Sequence, residues 1–319
     1  MVTLAHTSTD AYRAMIEGCA VVDRSERGKL ALTGAEAKEF LHGQVTNDVE
    51  GLEPGTGCYA AFLTHKGKML GDLRILDTGD ELLLDCERVS LQELFNMIRR
   101  FKLGRDVELH KRTLETGLLS LIGPDARRIA GAGDLPEAEH AHRAGRLGGA
   151  AVRLVVTDLG VDVLCDAADT EPVAAALIAA GAVPAGEDAA EVRRVETGRP
   201  RYGVDLDDGV IPQEAGLNER AVSFEKGCYV GQETVARLHF RGKPNRHLRG
   251  LRLSGAVATG TPLRLGEREV GRLASVVVSP RLGPIGLALV RREAQPGDTL
   301  VAGDGDVRAE VVDLPFAQA

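Results

Sequence analysis

The chain has 319 residues, 44% of them hydrophobic, enough for two or three folding units with proper cores. Aromatic residues are 3% and tryptophan is absent, so leucine, valine and alanine must fill those cores. A net charge of −8 repels nucleic acid, and no run of about 18 apolar residues is present to cross a membrane.

The first twenty residues carry Asp10, Glu17 and a single Arg13, which is neither a secretory signal nor an Arg-rich transit peptide. Residues 20–32 predict two strands, Ala20–Asp23 and Lys29–Leu32, around a turn at Glu26–Gly28. Thr33-Gly34 opens a helix with Ala37, Phe40 and Leu41 on one face. Leu41–Asp48 then follows, on its own residues a polar helix exit with Asn47-Asp48 as a turn. Residues 58–86 predict a meander of three strands, with turns at Thr64–Lys68 and Thr78–Asp80. Leu91, Leu94, Phe95, Ile98 and Phe101 form the apolar stripe of a core-facing helix.

A similar plan then returns. Leu32-Thr-Gly-Ala-Glu-Ala37 has an echo 89 residues on, in Leu121-Ile-Gly-Pro-Asp-Ala126. Leu82–Cys86 with its helix is echoed by Val161–Cys165 with a helix carrying Val173, Ala176, Leu177 and Ala180. Two like-built α+β halves around a cleft account for this, and chance similarity is the alternative. The Gly/Ala/His-rich segment 131–149 reads as a mobile surface loop.

Asp188 reads as the N-cap of a helix with Glu191 at its third position. Gly198 and Pro200 end that helix. Its last turn holds Glu196, where a carboxylate opposes the helix dipole. Such a broken local rule marks either a site or a surface pairing with Arg193, Arg199 or Arg201. After loops over 202–222 and a segment at 223–234, no acid occurs from Thr234 to Gly266, while Arg237, Arg241, Lys243, Arg246, Arg249 and Arg252 concentrate positive charge. RNA is a poor fit to this patch, because Phe240 is the single aromatic between Arg237 and Arg252. Pro244 marks a domain boundary, dividing 1–243 from 244–319. Beyond it six short strands predict a small antiparallel β-barrel.

The five cysteines are Cys19, Cys58, Cys86, Cys165 and Cys228, no two closer than 28 residues. Without a Cys-x-x-Cys, neither a zinc site nor a protein-held iron–sulfur cluster is expected, and no metal ligand is assigned. An odd count without an export signal fits reduced thiols in the cytoplasm. The first four read as small buried apolar residues. Cys228 stands apart, in Ser223-Phe-Glu-Lys-Gly-Cys-Tyr-Val-Gly-Gln-Glu-Thr234. Gly227 and Gly231 flank it and allow positive φ and close approach of a ligand. Lys226 supplies positive charge, and a helix beginning near Gly231 would favour a thiolate. No Gly-x-Ser-x-Gly, His-Glu-x-x-His or Walker loop is present.

The string Lys226-Gly-Cys-Tyr-Val-Gly-Gln-Glu233 resembles the signature of the YgfZ-type folate-binding proteins. These are relatives of the glycine cleavage T-protein (aminomethyltransferase) that serve iron–sulfur cluster assembly and repair. Arg194-Val-Glu-Thr-Gly-Arg-Pro200 resembles the family's Arg-x-Glu-x-Gly-x-Pro. Glu269-Val-Gly271, Ser279-Pro280, Ile285–Val290 and Pro315-Phe316 resemble the T-protein C-terminal domain, so the resemblance covers nearly the whole chain.

The resemblance implies a functional thiol at Cys228 with Lys226 beside it. It implies a tetrahydrofolate, or a polyglutamylated derivative, held by Glu196, Tyr229, Arg237, Arg241, Asp85 and Gln92. Glu196 would take the pterin, and the two arginines the carboxylates of the tail. It also places Leu41–Asp48 at the edge of the folate cavity. One departure matters: the Asp that aminomethyltransferases carry after their Leu-Val-Asn-Ala-Ser-Asn strand falls near Gln92, and the Asn is Asp85. The implied role is an accessory protein, with iron–sulfur client or assembly proteins as partners and neither nucleic acid nor membrane. The rivals are a tetrahydrofolate-dependent aminomethyltransferase or demethylase, and a docking module.

Overall fold

The computed structural model of the chain describes residues 8–305 and 307–316. Two compact units emerge. The first takes the residues through Phe62, Leu70–Ala190 and Glu225–Val230. The second takes Leu63–Met69, Glu191–Phe224 and the chain from Gly231 onward. The segments just before Pro244 therefore compact with the barrel.

The first unit is α+β. It runs through α1 (Ser8–Glu17), β1 (Ala20–Asp23), β2 (Gly28–Thr33), α2 (Ala37–His42), β3 (Gly57–Leu63), β4 (Met69–Asp77), β5 (Leu82–Cys86) and α3 (Leu91–Phe101). There follow β6 (Glu108–Lys111), β7 (Thr116–Ile122), α4 (Ala126–Ile129), β8 (His142–Leu147), β9 (Ala150–Thr157), β10 (Gly160–Asp166), α5 (Thr170–Ala179) and β11 (Val183–Ala185). One sheet has the order β3-β4-β5-β2-β6 and the other β11-β1-β7-β10-β9-β8. The expected meander is β3-β4-β5. The two strands expected over 20–32 part company, β1 entering one sheet and β2 the other.

The internal echo is a real structural repeat. In both halves a central strand ends in a glycine that turns the chain into a short helix. Gly34 has φ +106° and Gly123 φ +130°. A Cβ at Gly34 would stand 2.3 Å from the Asp106 carbonyl oxygen, and one at Gly123 2.4 Å from that of Gly18. Those same carbonyls accept the N–H of Glu36 (3.1 Å) and of Asp125 (3.0 Å). No side chain fits, so glycine is required twice. Cys86 faces Gly28 across β5 and β2, and Cys165 faces Gly117 across β10 and β7. Separate apolar cores back the two sheets, one with Phe40, Leu94 and Ile98, the other with Ile129, Val173 and Leu177.

The segment expected to be a mobile loop differs. His142–Leu147 is β8, the edge of the larger sheet, paired with β9 from His142↔Val155 to Leu147↔Ala150. An edge strand needs only one apolar face and one bonded side, so Arg143, Gly145 and Arg146 are tolerated there. α1, β6, β9 and β11 were not foreseen. α6 (Glu187–Glu196) starts before Asp188, which lies in its first turn and does not cap it.

The second unit holds the end of α6, then α7 (Asn218–Ala221), α8 (Gln232–Arg241), β12 (Arg246–Leu253), β13 (Pro262–Leu265), β14 (Arg268–Ser279), β15 (Gly283–Arg291), β16 (Thr299–Ala302) and β17 (Val307–Val312). The six strands close into an antiparallel barrel in the order β12-β15-β14-β13-β16-β17. Leu251, Leu263, Val290, Leu300 and Val311 fill it.

Candidate functional site

Cys228 is exposed, while Cys19, Cys86 and Cys165 are buried and Cys58 is half-buried. Burial pushes Cys19 up to about 11, and Cys58 and Cys86 to about 12. The loop that displays Cys228 is pegged by Lys226. Its ammonium donates to the carbonyls of Val45 (2.8 Å), Asn47 (3.0 Å) and His42. The Val230 N–H adds a bond to the Gly43 carbonyl, 3.3 Å. Lys226 also lies 5.1 Å from the ring centre of Tyr229, which is buried and whose hydroxyl burial pushes up to about 12. Burial lowers Lys226 itself to about 8, with Asp48, Cys58 and Glu50 opposing. The lysine expected to supply charge to the thiol is thus spent on three carbonyls. Those carbonyls belong to the Leu41–Asp48 exit.

The two glycines of the motif are not equivalent. Gly231 has φ +85° and precedes α8, and a Cβ there would sit 2.5 Å from the Thr64 carbonyl oxygen. Gly227 has no such constraint, its nearest neighbour for a Cβ being His42 Nε2 at 3.8 Å.

Glu196 is 3% exposed at the end of α6. The N–H of Gly198 bonds the Val195 carbonyl (2.9 Å) and that of Arg199 the Arg194 carbonyl (3.1 Å), the paired bonds of a Schellman turn around left-handed Gly198. The Glu196 carboxylate accepts from Ser279 Oγ at 2.5 Å and from Arg193, with Arg281 at 3.8 Å. These two arginines and a serine offset the unfavourable dipole. Arg194, from the same motif, is buried against Glu191, Asp205 and Ser275.

In the first unit Asp85 belongs to an ionic layer. Its Oδ1 accepts from Arg27 Nε at 2.8 Å, and its Oδ2 lies 3.0 Å from Arg74 Nη2. Arg74 Nη1 reaches Asp162 at 2.6 Å, which ties β4 of one sheet to β10 of the other. Burial pushes Asp85 upward, but Arg27 and Arg74 outweigh it and hold the carboxyl below its ordinary range. Against this layer lies a polar cavity of about 170 Å³, lined in part by Tyr59, Asp72, Arg74, Ser120 and Asp162. Tyr59 donates to Asp72 Oδ2 at 2.7 Å. Burial raises Asp72 to about 6, with the Tyr59 bond pulling the other way.

Gln92 does not join Asp85. It is exposed and bonds Asn96 at 2.9 Å, lining a separate groove with Arg88, Phe95 and Lys111. Arg237 and Arg241 are exposed on α8 and form no ion pair among the described residues. Sequence reasoning missed Asp72, Tyr59, Arg74 and Ser120. A signal existed: Asp72 and Arg74 are charges on one face of an otherwise apolar strand. Among the described residues, no group of three His, Cys, Asp or Glu side chains is placed to hold a metal ion, and no helix is long and apolar enough to cross a membrane.

Comparison with known proteins places this geometry. Residues 3–226 match the GCVT N-terminal domain, and residues 246–318 match the glycine cleavage T-protein C-terminal barrel domain. A chloroplastic transferase-type protein of Arabidopsis thaliana is 30% identical over 96% of this chain and 73% of its own. An aminomethyltransferase of Rubrobacter xylanophilus is 30% identical over 96% of this chain and 85% of its own. The crystal structure of the glycine cleavage system aminomethyltransferase T from Bartonella henselae shares the fold at 21% identity. Its TM-score is 0.86 over 97% of this chain and 89% of its own. The chain belongs to the glycine cleavage T-protein family.

Proposed function

We propose that this protein binds a tetrahydrofolate, or a polyglutamylated derivative, and serves the assembly or repair of iron–sulfur proteins in the cytoplasm. The observation that carries the proposal is the displayed thiol. Cys228 is the exposed cysteine of five, on a loop pegged to three backbone carbonyls by a half-buried lysine. Pegging of this kind serves a group that must be presented to something outside the chain. Folate binding is supported by family membership and by the Glu196 carboxylate. Ser279 and Arg193 fix that carboxylate's orientation, which recognising the paired N–H donors of an aminopyrimidinone edge requires. Arg237 and Arg241, free of ion pairs among the described residues, are the partners proposed for the tail carboxylates.

A second reading, aminomethyl transfer to tetrahydrofolate, is favoured by the name of the Rubrobacter relative. Two measurements separate the readings. Calorimetric titration with tetrahydrofolate should show binding in the wild type and weakening by roughly tenfold or more in Glu196→Gln. Turnover of a methylamine donor with tetrahydrofolate should be absent. Cys228→Ala should bind folate normally and fail to support client maturation; sustained turnover, or a client that matures without Cys228, defeats the accessory reading.

A further inference from the structure

The groove that Gln92 lines runs beside α3, within the first unit. It measures about 470 Å³, within the size range of small-molecule sites. Leu30, Leu91, Phe95 and Leu114 give it an apolar lining. Arg88 reaches it from the turn leading into α3, and Lys111 from the end of β6, the edge strand of its sheet. Neither cation forms an ion pair among the described residues. Lys111 Nζ instead lies 4.9 Å from the centre of the Phe95 ring, which puts the ammonium on the groove wall. Glu115, the acid that also lines the groove, is already bonded to Arg112 Nη1 at 2.9 Å. Leu114 is 87% exposed, a large apolar side chain held out in water. The chain carries −8, yet from Arg88 to Arg112 seven lysines and arginines stand against three acids. Such a local excess draws anions.

We propose that this groove is a binding site for an aromatic carboxylate. The apolar body covers Leu91, Phe95 and Leu114, and the carboxylate pairs with the Arg88 guanidinium and the Lys111 ammonium. A cavity of about 150 Å³ holds one benzene, so about 470 Å³ takes two fused rings with their head group. The charge follows from the two cations, which a neutral or cationic ligand would leave without a partner. The aromatic body follows from the open shape of the groove: a rigid ring system has less conformational freedom to lose than an alkyl chain. Phe95 offers it an offset or edge-to-face contact. The site does not rest on the folate reading, since Glu196, Arg237 and Arg241 are not among its lining residues.

The test is a ligand-observed NMR titration of the full chain with 2-naphthoate, with 2-naphthylmethanol as the uncharged analogue. 2-Naphthoate should bind, and the alcohol should bind roughly tenfold more weakly or worse. Arg88→Met and Lys111→Met keep the apolar reach of the side chain and should each weaken 2-naphthoate by roughly three- to tenfold. Leu114→Ser should weaken the acid and the alcohol alike, by roughly threefold or more. All three positions are exposed, so the variants should fold, and a thermal melt checks that they do. Arg237→Met and Glu196→Gln should bind 2-naphthoate as wild type does. Wild type that fails to bind 2-naphthoate, or binds the alcohol equally well, overturns the site, as do folded Arg88→Met and Lys111→Met proteins that bind like wild type. Loss in Arg237→Met without loss in Lys111→Met would put the carboxylate on α8 and overturn it too. Tetrahydrofolate titration of Glu196→Gln reads the folate proposal separately, so either can fail alone.

Discussion

Asp85 and Asp72 lie on neighbouring strands of one sheet, both buried, and their chemistry is opposite. Asp85 faces Arg74 directly across β5 and β4 and gives both oxygens to guanidinium groups, so it stays ionised. Asp72, two residues before Arg74 on the same strand, has a tyrosine hydroxyl as its bonded partner and is raised to about 6. Burial alone does not decide what a buried acid does. The number of cations within reach decides it. The saturated acid anchors Arg74, which ties the two sheets through Asp162, while the under-paired one keeps a raised pKa.

The largest effect should come from breaking the saturated layer. Arg74→Met would leave Asp162 buried without the Arg74 cation that bonds it at 2.6 Å. Removing one partner of a buried ion pair costs about 3–5 kcal/mol. Urea unfolding at neutral pH should show that loss, and Asp162→Asn added to Arg74→Met should restore part of it. An Arg74→Met protein as stable as wild type would mean the layer contributes nothing.

The under-paired acid should behave in the opposite way. Asp72's folded pKa of about 6 lies above its ordinary 3.8. The folded protein therefore keeps a proton that the unfolded chain loses between about pH 4 and 6. Stability falls as pH rises through that window, by about 2–3 kcal/mol in all. The charged neighbours on the surrounding elements are Arg27, Glu87 and Asp85, with Arg74 and Asp162 also lining the cavity. Asp72→Asn should be more stable than wild type at pH 8 and nearly equal to it at pH 4. Parallel stability–pH curves for the two proteins would remove the distinction drawn here.

Much of the architecture was legible because it is periodic. The α3 stripe, the β3-β4-β5 meander and the six barrel strands each carry an apolar pattern that burial demands. The repeat was legible because Gly34 and Gly123 occupy positions where no other residue fits. β8 was not, since an edge strand with Arg143, Gly145 and Arg146 has the composition of a loop. The site's residues were partly legible as motifs, but their roles depend on partners far along the chain. Glu196 meets Ser279 83 residues away, and Arg74 meets Asp162 88 residues away. Lys226 reaches carbonyls 179–184 residues back. Backbone carbonyls have no sequence signature at all, so a lysine beside a cysteine suggests an activating charge where the fold has made a peg.

A peg can be tested by pulling it. Lys226→Met removes three bonds to carbonyls and should cost about 1–3 kcal/mol. The loss should be local, read as faster amide exchange across residues 225–230 with little change in the barrel strands. Wild-type exchange in that loop after the substitution would show that other contacts hold it.

The smallest effect on stability, and the sharpest contrast between displayed and buried groups, concerns the thiols. Iodoacetamide should alkylate Cys228 first, because it alone of the five is exposed. Cys58 should follow slowly, being half-buried and pushed up to about 12. Cys19, Cys86 and Cys165 should react only as the protein unfolds, since both access and thiolate formation are denied to them. Peptide mapping by mass spectrometry gives the order directly. In Cys228→Ala the fast phase should vanish while the slow phases keep their rates. If a second cysteine labels as fast as Cys228, exposure is not what distinguishes this thiol, and a loop pegged to present it would have nothing particular to present.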